Sequence, residues 1–106
     1  MYEISKADWK LFCKRVPDWQ ERHMEKLIKG YIKLLNSDGL ASDRFWELEK
    51  RIKKDKSGRG VMIELEKSEA LWDIAAMVKK KIITMDDLAG FSEALKEAVN
   101  EINKRR

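Results

Sequence analysis

The sequence predicts an all-α fold, a compact bundle of five or six helices with one short extended or strand segment near residues 61–66. Three observations carry this reading. Apolar residues recur at helical spacing through most of the chain. Trp9, Trp19, Trp46 and Trp72 each fall inside such a stretch. Ser5 with Asp8, and Thr84 with Asp87, have the spacing of a capping box, in which two side chains satisfy free backbone N–H groups at a helix start. A tryptophan buries roughly 150–250 Å², so four at helical positions are expected to anchor several helices to one small core. At 106 residues, a single helical domain over 1–106 is expected. The 43% apolar fraction supplies a core, and the 40% charged fraction reads as solvated helix faces rather than disorder.

Taken in order, the first helix starts at the Ser5 cap, with Ile4 and Trp9 at hydrophobic-staple spacing. Trp9, Phe12, Cys13 and Val16 lie on one face of it. Pro17 is expected to end this helix and open the next, because proline is tolerated in a first turn but not in an interior. The second helix runs to Asn36 with the stripe Met24, Leu27, Ile28, Tyr31 and Leu35, and Gly30 in its interior hints at a close helix crossing. Asn36-Ser37-Asp38-Gly39 is a stop.

Ser42 is expected to cap a third helix with Phe45, Leu48 and Ile52 on its core face and Trp46 alongside. That helix is expected to dissolve into a mobile loop across Lys50–Gly60. Val61, Ile63 and Leu65 alternate with more polar neighbours, a strand period without a second strand to pair with. An extended strap, an early helix start and an edge strand completed by another chain compete there, with strap or short strand favoured.

Ser68 is read as the cap of a fourth helix with Leu71, Ile74, Ala75 and Val78 on one face and Trp72 beside it. Lys79, Lys80 and Lys81 suit the negative pole of its dipole. Thr84 opens the next element, with Ile83 and Leu88 as staple. Residues 85–104 are either one helix through Gly90 or two, the second capped by Ser92 and buried along Leu95, Ala98, Val99 and Ile102.

The composition narrows the chemistry. No run approaches the ~18 apolar residues of a membrane span, and Met1-Tyr2-Glu3-Ile4-Ser5 has no basic region leading an apolar stretch. A cytoplasmic protein without membrane association is expected. One cysteine, Cys13, allows no internal disulfide, and one histidine, His23, adds too little for a zinc site. A Cys13–His23 dyad lacks an orienting group, and Cys13 reads as a small core hydrophobe. Asp55-Lys56-Ser57-Gly58-Arg59-Gly60 places an arginine where a calcium loop needs a ligand. Asp86 and Asp87 are adjacent, so on a helix they point about 100° apart and cannot face one another. No catalytic residue, metal site or cofactor is expected, and the chain does not read as an enzyme.

Charge is unevenly placed. Residues 1–60 carry 15 Lys and Arg against 10 Asp and Glu, whereas residues 61–106 carry 8 against 9. Arg22, Lys26, Lys29 and Lys33 form one helical stripe; Lys50, Arg51, Lys53, Lys54, Lys56 and Arg59 form a cluster. These ten are the candidate nucleic-acid-binding residues, against the plainer reading of a solvated face. A helix-turn-helix over 68–90 is disfavoured, because its reading end would turn Asp86 and Asp87 toward phosphates. Trp46 and Trp72 stand beside their apolar stripes and, with Val61 and Ile63, are the candidate protein-binding residues.

Several stretches together carry a resemblance: Asp8-Trp9-Lys10-Leu11-Phe12, Pro17-Asp18-Trp19-Gln20, Phe45-Trp46-Glu47-Leu48-Glu49-Lys50-Arg51-Ile52, and Asp86-Asp87-Leu88 followed by Phe91-Ser92. Over most of its length the chain resembles a family of similarly short proteins from anaerobic gut bacteria. The family has no established activity, fold or site, so the resemblance transfers no functional residue. Some members carry an automatic multidrug-transporter label, which the lack of a long apolar run contradicts. The expectation is a non-enzymatic protein-binding module, adaptor or inhibitor, with an acidic protein as partner and a homodimer through 61–66 as a side expectation. The alternative is a nucleic-acid-binding protein.

Overall fold

Pro17 sits inside a helix. A computed structural model describes residues 3–105; Met1 and Tyr2, part of the stretch read for a leader, lie outside the described residues, as does Arg106. The chain forms α1 (Lys6–Leu35), α2 (Ala41–Lys56), α3 (Ala70–Lys79) and α4 (Glu93–Lys104), with 3-10 turns at Lys67–Glu69 and Met85–Leu88. The all-α expectation holds, with no strand among the described residues. The expected count of five or six helices is corrected to four α-helices among the described residues, chiefly because α1 runs straight through Pro17.

The physical reason is burial on both sides of the proline. An interior proline costs about 3 kcal/mol through a lost hydrogen bond and ring crowding. Phe12, Val16 and Trp19 flank it and are buried, each contributing about 1.5–3 kcal/mol only if the helix holds them in phase. Pro17 itself lies on the exposed side.

By their contacts the residues form two units, one made of the chain up to Trp19 together with Glu64 onward, the other of Gln20–Ile63. The first unit holds nearly all of the buried side chains. Its core joins Phe12, Val16 and Trp19 of α1 to Leu71, Ile74, Ala75 and Met77 of α3, to Ile83, Leu88 and Phe91, and to Leu95, Val99 and Ile102 of α4. Trp9, Phe12, Trp19 and Phe91 make a chain of rings with successive centroids 6.1 Å apart. Of the four tryptophans only Trp19 is fully buried. Trp9 is half-buried, and Trp46 and Trp72 are exposed, in keeping with their places beside the apolar stripes.

Caps organise this unit. Ser5 Oγ accepts from Asp8 N at 3.1 Å, as expected, but the Asp8 carboxylate turns away and accepts from Ser92 N at 3.0 Å and Ser92 Oγ at 2.6 Å. Ser92 in turn caps α4 by accepting from Leu95 N at 3.1 Å. The Thr84–Asp87 box forms, with Thr84 N donating to Asp87 Oδ2 at 2.8 Å. It starts only the four-residue turn Met85–Leu88, so residues 85–104 are two elements and not one helix. Arg15 Nη1 donates to the carbonyls of Asp87, at 3.0 Å, and of Ala89. Its guanidinium carbon lies 5.4 Å from the Phe91 ring centroid. Gly90 follows with φ +93, a conformation that selects glycine, and a Cβ there would stand 2.9 Å from the tip of the Arg15 side chain.

α3 begins at Ala70 after a 3-10 turn, not at a Ser68 cap. It ends in a Schellman motif, with Ile82 N bonded to Met77 O at 2.9 Å and Lys81 N to Val78 O at 3.1 Å. Lys81 takes the left-handed conformation usually given to glycine, with φ 62. Asn103 Nδ2 donates to Ala75 O at 3.1 Å, tying α4 to α3.

Candidate protein interface

The second unit is a helical hairpin. It contains α1 from Gln20 onward, the turn after Leu35, and α2, followed by the segment up to Ile63. α2 starts at Ala41 with Leu40 as its N-cap, so the expected cap Ser42 is instead the second residue of the helix. α2 also continues to Lys56, where a mobile loop was expected. The Glu47–Arg51 pair at 3.1 Å and the lysines of its last turn suit a helix there.

Two contacts join the ends of the antiparallel pair. Arg44 Nη1 donates to Leu35 O at 2.7 Å, and Gln20 Nε2 donates to Arg59 O, just beyond α2, at 3.2 Å.

The seam between the helices carries the polar work of the unit. Tyr31 Oη donates to Asp55 Oδ2 at 2.5 Å. Burial first, then this bond to Asp55, push the phenol up to about 12. His23 packs on Gly60, where an added Cβ would stand 2.2 Å from the imidazole Cδ2. Its Nδ1 is buried without a hydrogen-bond partner. Burial first, then the Lys26 charge, hold the imidazole below its ordinary 6.5, with Asp55 opposing. Gly30 has nothing within 4 Å of a would-be Cβ, so the expected close crossing does not occur there.

The apolar residues outside the seam give the hairpin its main feature. The half-buried positions Gln20, His23, Met24, Leu27, Tyr31 and Leu34 mark the side of α1 that faces α2. At about 100° per residue, Ile28, Ile32 and Leu35 lie roughly a quarter turn round from that side. Phe45 and Ile52 lie a quarter turn round from the seam side of α2, in the same rotational sense. Because the helices are antiparallel, equal rotation brings both sets to one face of the hairpin. Ile28 is 47% exposed, Ile32 53%, Leu35 41%, Phe45 61% and Ile52 38%. The expected core face Phe45, Leu48 and Ile52 is thus corrected to an open surface. On it Phe45, Leu48, Glu49, Ile52, Lys53 and Lys56 line a groove of about 430 Å³. Leu40, at 69% exposure, stands at the hairpin turn.

The opposite rotation gathers the charge. Lys26 and Lys33 of α1 and Lys50 and Lys54 of α2 share the other face, while Arg22, Lys29 and Lys53 run along the outer edges. Arg51 is paired with Glu47, Lys56 borders the apolar groove, and Arg59 is half-buried with its carbonyl accepting from Gln20. The ten basic candidates therefore do not form one surface. The hairpin unit holds 11 Lys and Arg against 7 Asp and Glu, whereas the remainder of the chain holds 12 of each. The whole formal charge of +4 resides in the hairpin.

The protein-binding candidates are also divided. Trp46 is exposed on the outer edge of α2, its ring 4.9 Å from Phe45 and edge-on to it. Trp72 is exposed on α3, in the other unit. Val61 and Ile63 are half-buried, and Met62 and Leu65 are the exposed members of the segment. Residues 62–66 form neither strand nor helix, as the extended-strap expectation has it. Sequence reasoning placed Ile28 and Leu35 in a stripe and missed that the stripe is exposed. The missing signal was Ile32, an apolar residue beyond the width a two-helix seam can bury.

In the first unit a cleft of about 500 Å³ lies between the start of α1, Leu71 and α4. Its buried carboxylate, Asp8, is committed to Ser92. After α3 the only element before α4 is the four-residue turn Met85–Leu88, which leaves no recognition helix over 68–90. No described helix is long and apolar enough to cross a membrane.

The fold and this surface define an all-α chain with an amphipathic hairpin. Compared with protein-family models, with curated proteins and with solved structures, the chain matches none of them.

Proposed function

We propose that this chain is a non-enzymatic, cytoplasmic protein-binding module of the adaptor or inhibitor kind, and that the apolar face of its hairpin is the docking surface. The observation that carries the reading is the set of Ile28, Ile32, Leu35, Phe45 and Ile52 on one face, each more than a third exposed. Contiguous apolar surface of this kind, rimmed by charge, is characteristic of protein interaction sites. Aromatic anchors such as Phe45 and Trp46 are enriched in binding hot spots. A photoreactive residue placed at Ile32 should give a protein adduct in cells making the chain, and the same group at exposed Lys104 should not. No adduct at Ile32 would sink the reading.

The second reading, nucleic-acid binding, is favoured by one observation: Lys26, Lys33, Lys50 and Lys54 gather on the face opposite the apolar one. Each phosphate contact contributes about −0.9 to the slope of log affinity against log salt. Lys50→Glu with Lys54→Glu should flatten that slope, whereas Phe45→Ala should leave it alone. A chain with no affinity for duplex or single strands at low salt has only the protein-binding role.

A further inference from the structure

We propose that the turn over residues 58–62, which folds back on α1 after the end of α2, is an acid-released latch: protonation of His23 frees it and exposes the half-buried Val61. The movement lies wholly within the hairpin unit and does not depend on the docking reading of its apolar face.

The turn is closed on itself. Gly58 N donates to Asp55 O at 3.1 Å, and Val61 N and Met62 N both donate to Gly58 O, at 3.0 and 2.9 Å. Two contacts hold it on α1. Gln20 Nε2 donates to Arg59 O at 3.2 Å, and about one turn further along the helix the buried Gly60 lies on the His23 ring. A Cβ at Gly60 would stand 2.2 Å from His23 Cδ2, 2.8 Å from Cγ and 2.9 Å from Nε2. Only a glycine lets the backbone come so close to the imidazole, and the contact leaves no room for water between them.

This contact suits a neutral ring. A neutral imidazole has one bare nitrogen, whereas the imidazolium donates from both. His23 Nδ1 is buried with no hydrogen-bond partner, so the charged ring would hold a donor there without an acceptor, and a buried unpaired charged donor is strongly disfavoured. The charges around the ring come from three elements. Lys26, on α1 itself, opposes protonation, and Asp55 of α2 favours it. The Asp55 carboxylate, however, already accepts from Tyr31 Oη. Arg59 is the charged residue of the turn.

Burial and Lys26 together outweigh Asp55 and hold the latched imidazole below its ordinary 6.5. Once the turn lifts off, the ring meets water and titrates near its ordinary value. The released form therefore takes up a proton that the latched form refuses. Above pH 6.5 the latch is indifferent to pH. Below it the balance moves toward release, approaching about tenfold per pH unit until the latched ring itself titrates.

The test is amide hydrogen exchange of the full chain by NMR from about pH 8 to about pH 5, expressed as protection relative to the intrinsic rate at each pH. Val61 and Met62, whose N–H groups bond to Gly58 O, report the latch. Their protection should be level above pH 6.5 and fall by about fivefold or more at the acid end. Low urea should leave that fall unchanged, because lifting one turn exposes little surface, whereas global unfolding is enhanced by denaturant. His23→Gln should make the protection level across the range. Lys26 is exposed, so Lys26→Gln leaves the packing alone. By removing a charge that opposes protonation, it should shrink the acid loss. Protection that stays level to the acid end in the wild-type chain would overturn the proposal. So would an equal loss in His23→Gln, a loss that urea enlarges, or one that Lys26→Gln leaves unchanged.

Discussion

Asp8 and Ser92 meet across 84 residues of chain, the carboxylate of one accepting both the backbone N–H and the hydroxyl of the other. Asp8 is in the first turn of α1 and Ser92 is the N-cap of α4, so one carboxylate links the starts of two helices. Hydrogen bonds to a charged acceptor contribute about 1.5–3 kcal/mol each when removal leaves the partner unsatisfied. Asp8→Ala should therefore lower unfolding stability by about 2–4 kcal/mol in urea titration. Ser92→Ala should cost less, about 1–2 kcal/mol, because its backbone N–H keeps Asp8. The double variant should fall short of the summed losses; strict additivity would mean that the two residues do not act together.

Pro17 offers a gain rather than a loss. Pro17→Ala restores an amide that can bond to the Cys13 carbonyl, on the exposed side of a helix already held in phase by Val16 and Trp19. Stability should rise by roughly 1–3 kcal/mol, and amide exchange should show a protected proton at residue 17. A loss of stability would show that α1 depends on a proline bend.

Tyr31 should titrate late. Its bond to Asp55 exists only while the phenol is protonated, and its pKa is raised from 10.0 to about 12. A raised acid contributes stability that is complete below pH 10.0 and is lost as pH rises through about 12. Absorbance at alkaline pH should show one phenol ionising well above the ordinary range, and Tyr31→Phe should remove that step while costing about 1–2 kcal/mol.

His23 gives the opposite pH limb. Its pKa lies below 6.5, so the unfolded chain takes up the proton more readily. The associated stability is complete above pH 6.5 and is lost as pH falls through the folded pKa. Thermal melts should show a Tm that falls below that pH, and His23→Gln should remove the fall. Gly60→Ala should cost about 1–3 kcal/mol by forcing the imidazole aside, and His23→Ala in the same chain should recover part of it.

What could be read early was whatever depends on short-range pattern. The Ser92 cap, the Thr84–Asp87 box and the buried set Leu71, Ile74, Ala75, Leu95, Val99 and Ile102 were all legible, because capping and periodicity act over one or two turns. Pro17 misled because its local penalty is outweighed by burial of Val16 and Trp19, whose partners are distant in sequence. The glycines at 58 and 60 mark a loop, but the helix signal of α2 carries on to Lys56 before them. At the candidate interface, the residues were legible and their exposure was not: Phe45, Leu48 and Ile52 form the same stripe whether covered or bare.

By itself, then, the sequence determined that the chain is helical, where several of the helices are capped, and which positions are apolar. Those properties arise from backbone hydrogen bonding and side-chain spacing within a few residues. Only the tertiary structure decided that α1 passes through Pro17, that Asp8 holds Ser92, and that the stripe of Ile28, Ile32 and Leu35 shares an open face with Phe45 and Ile52. Periodicity records which side of a helix avoids water, but burial depends on what packs there, and that is set by contacts remote along the chain.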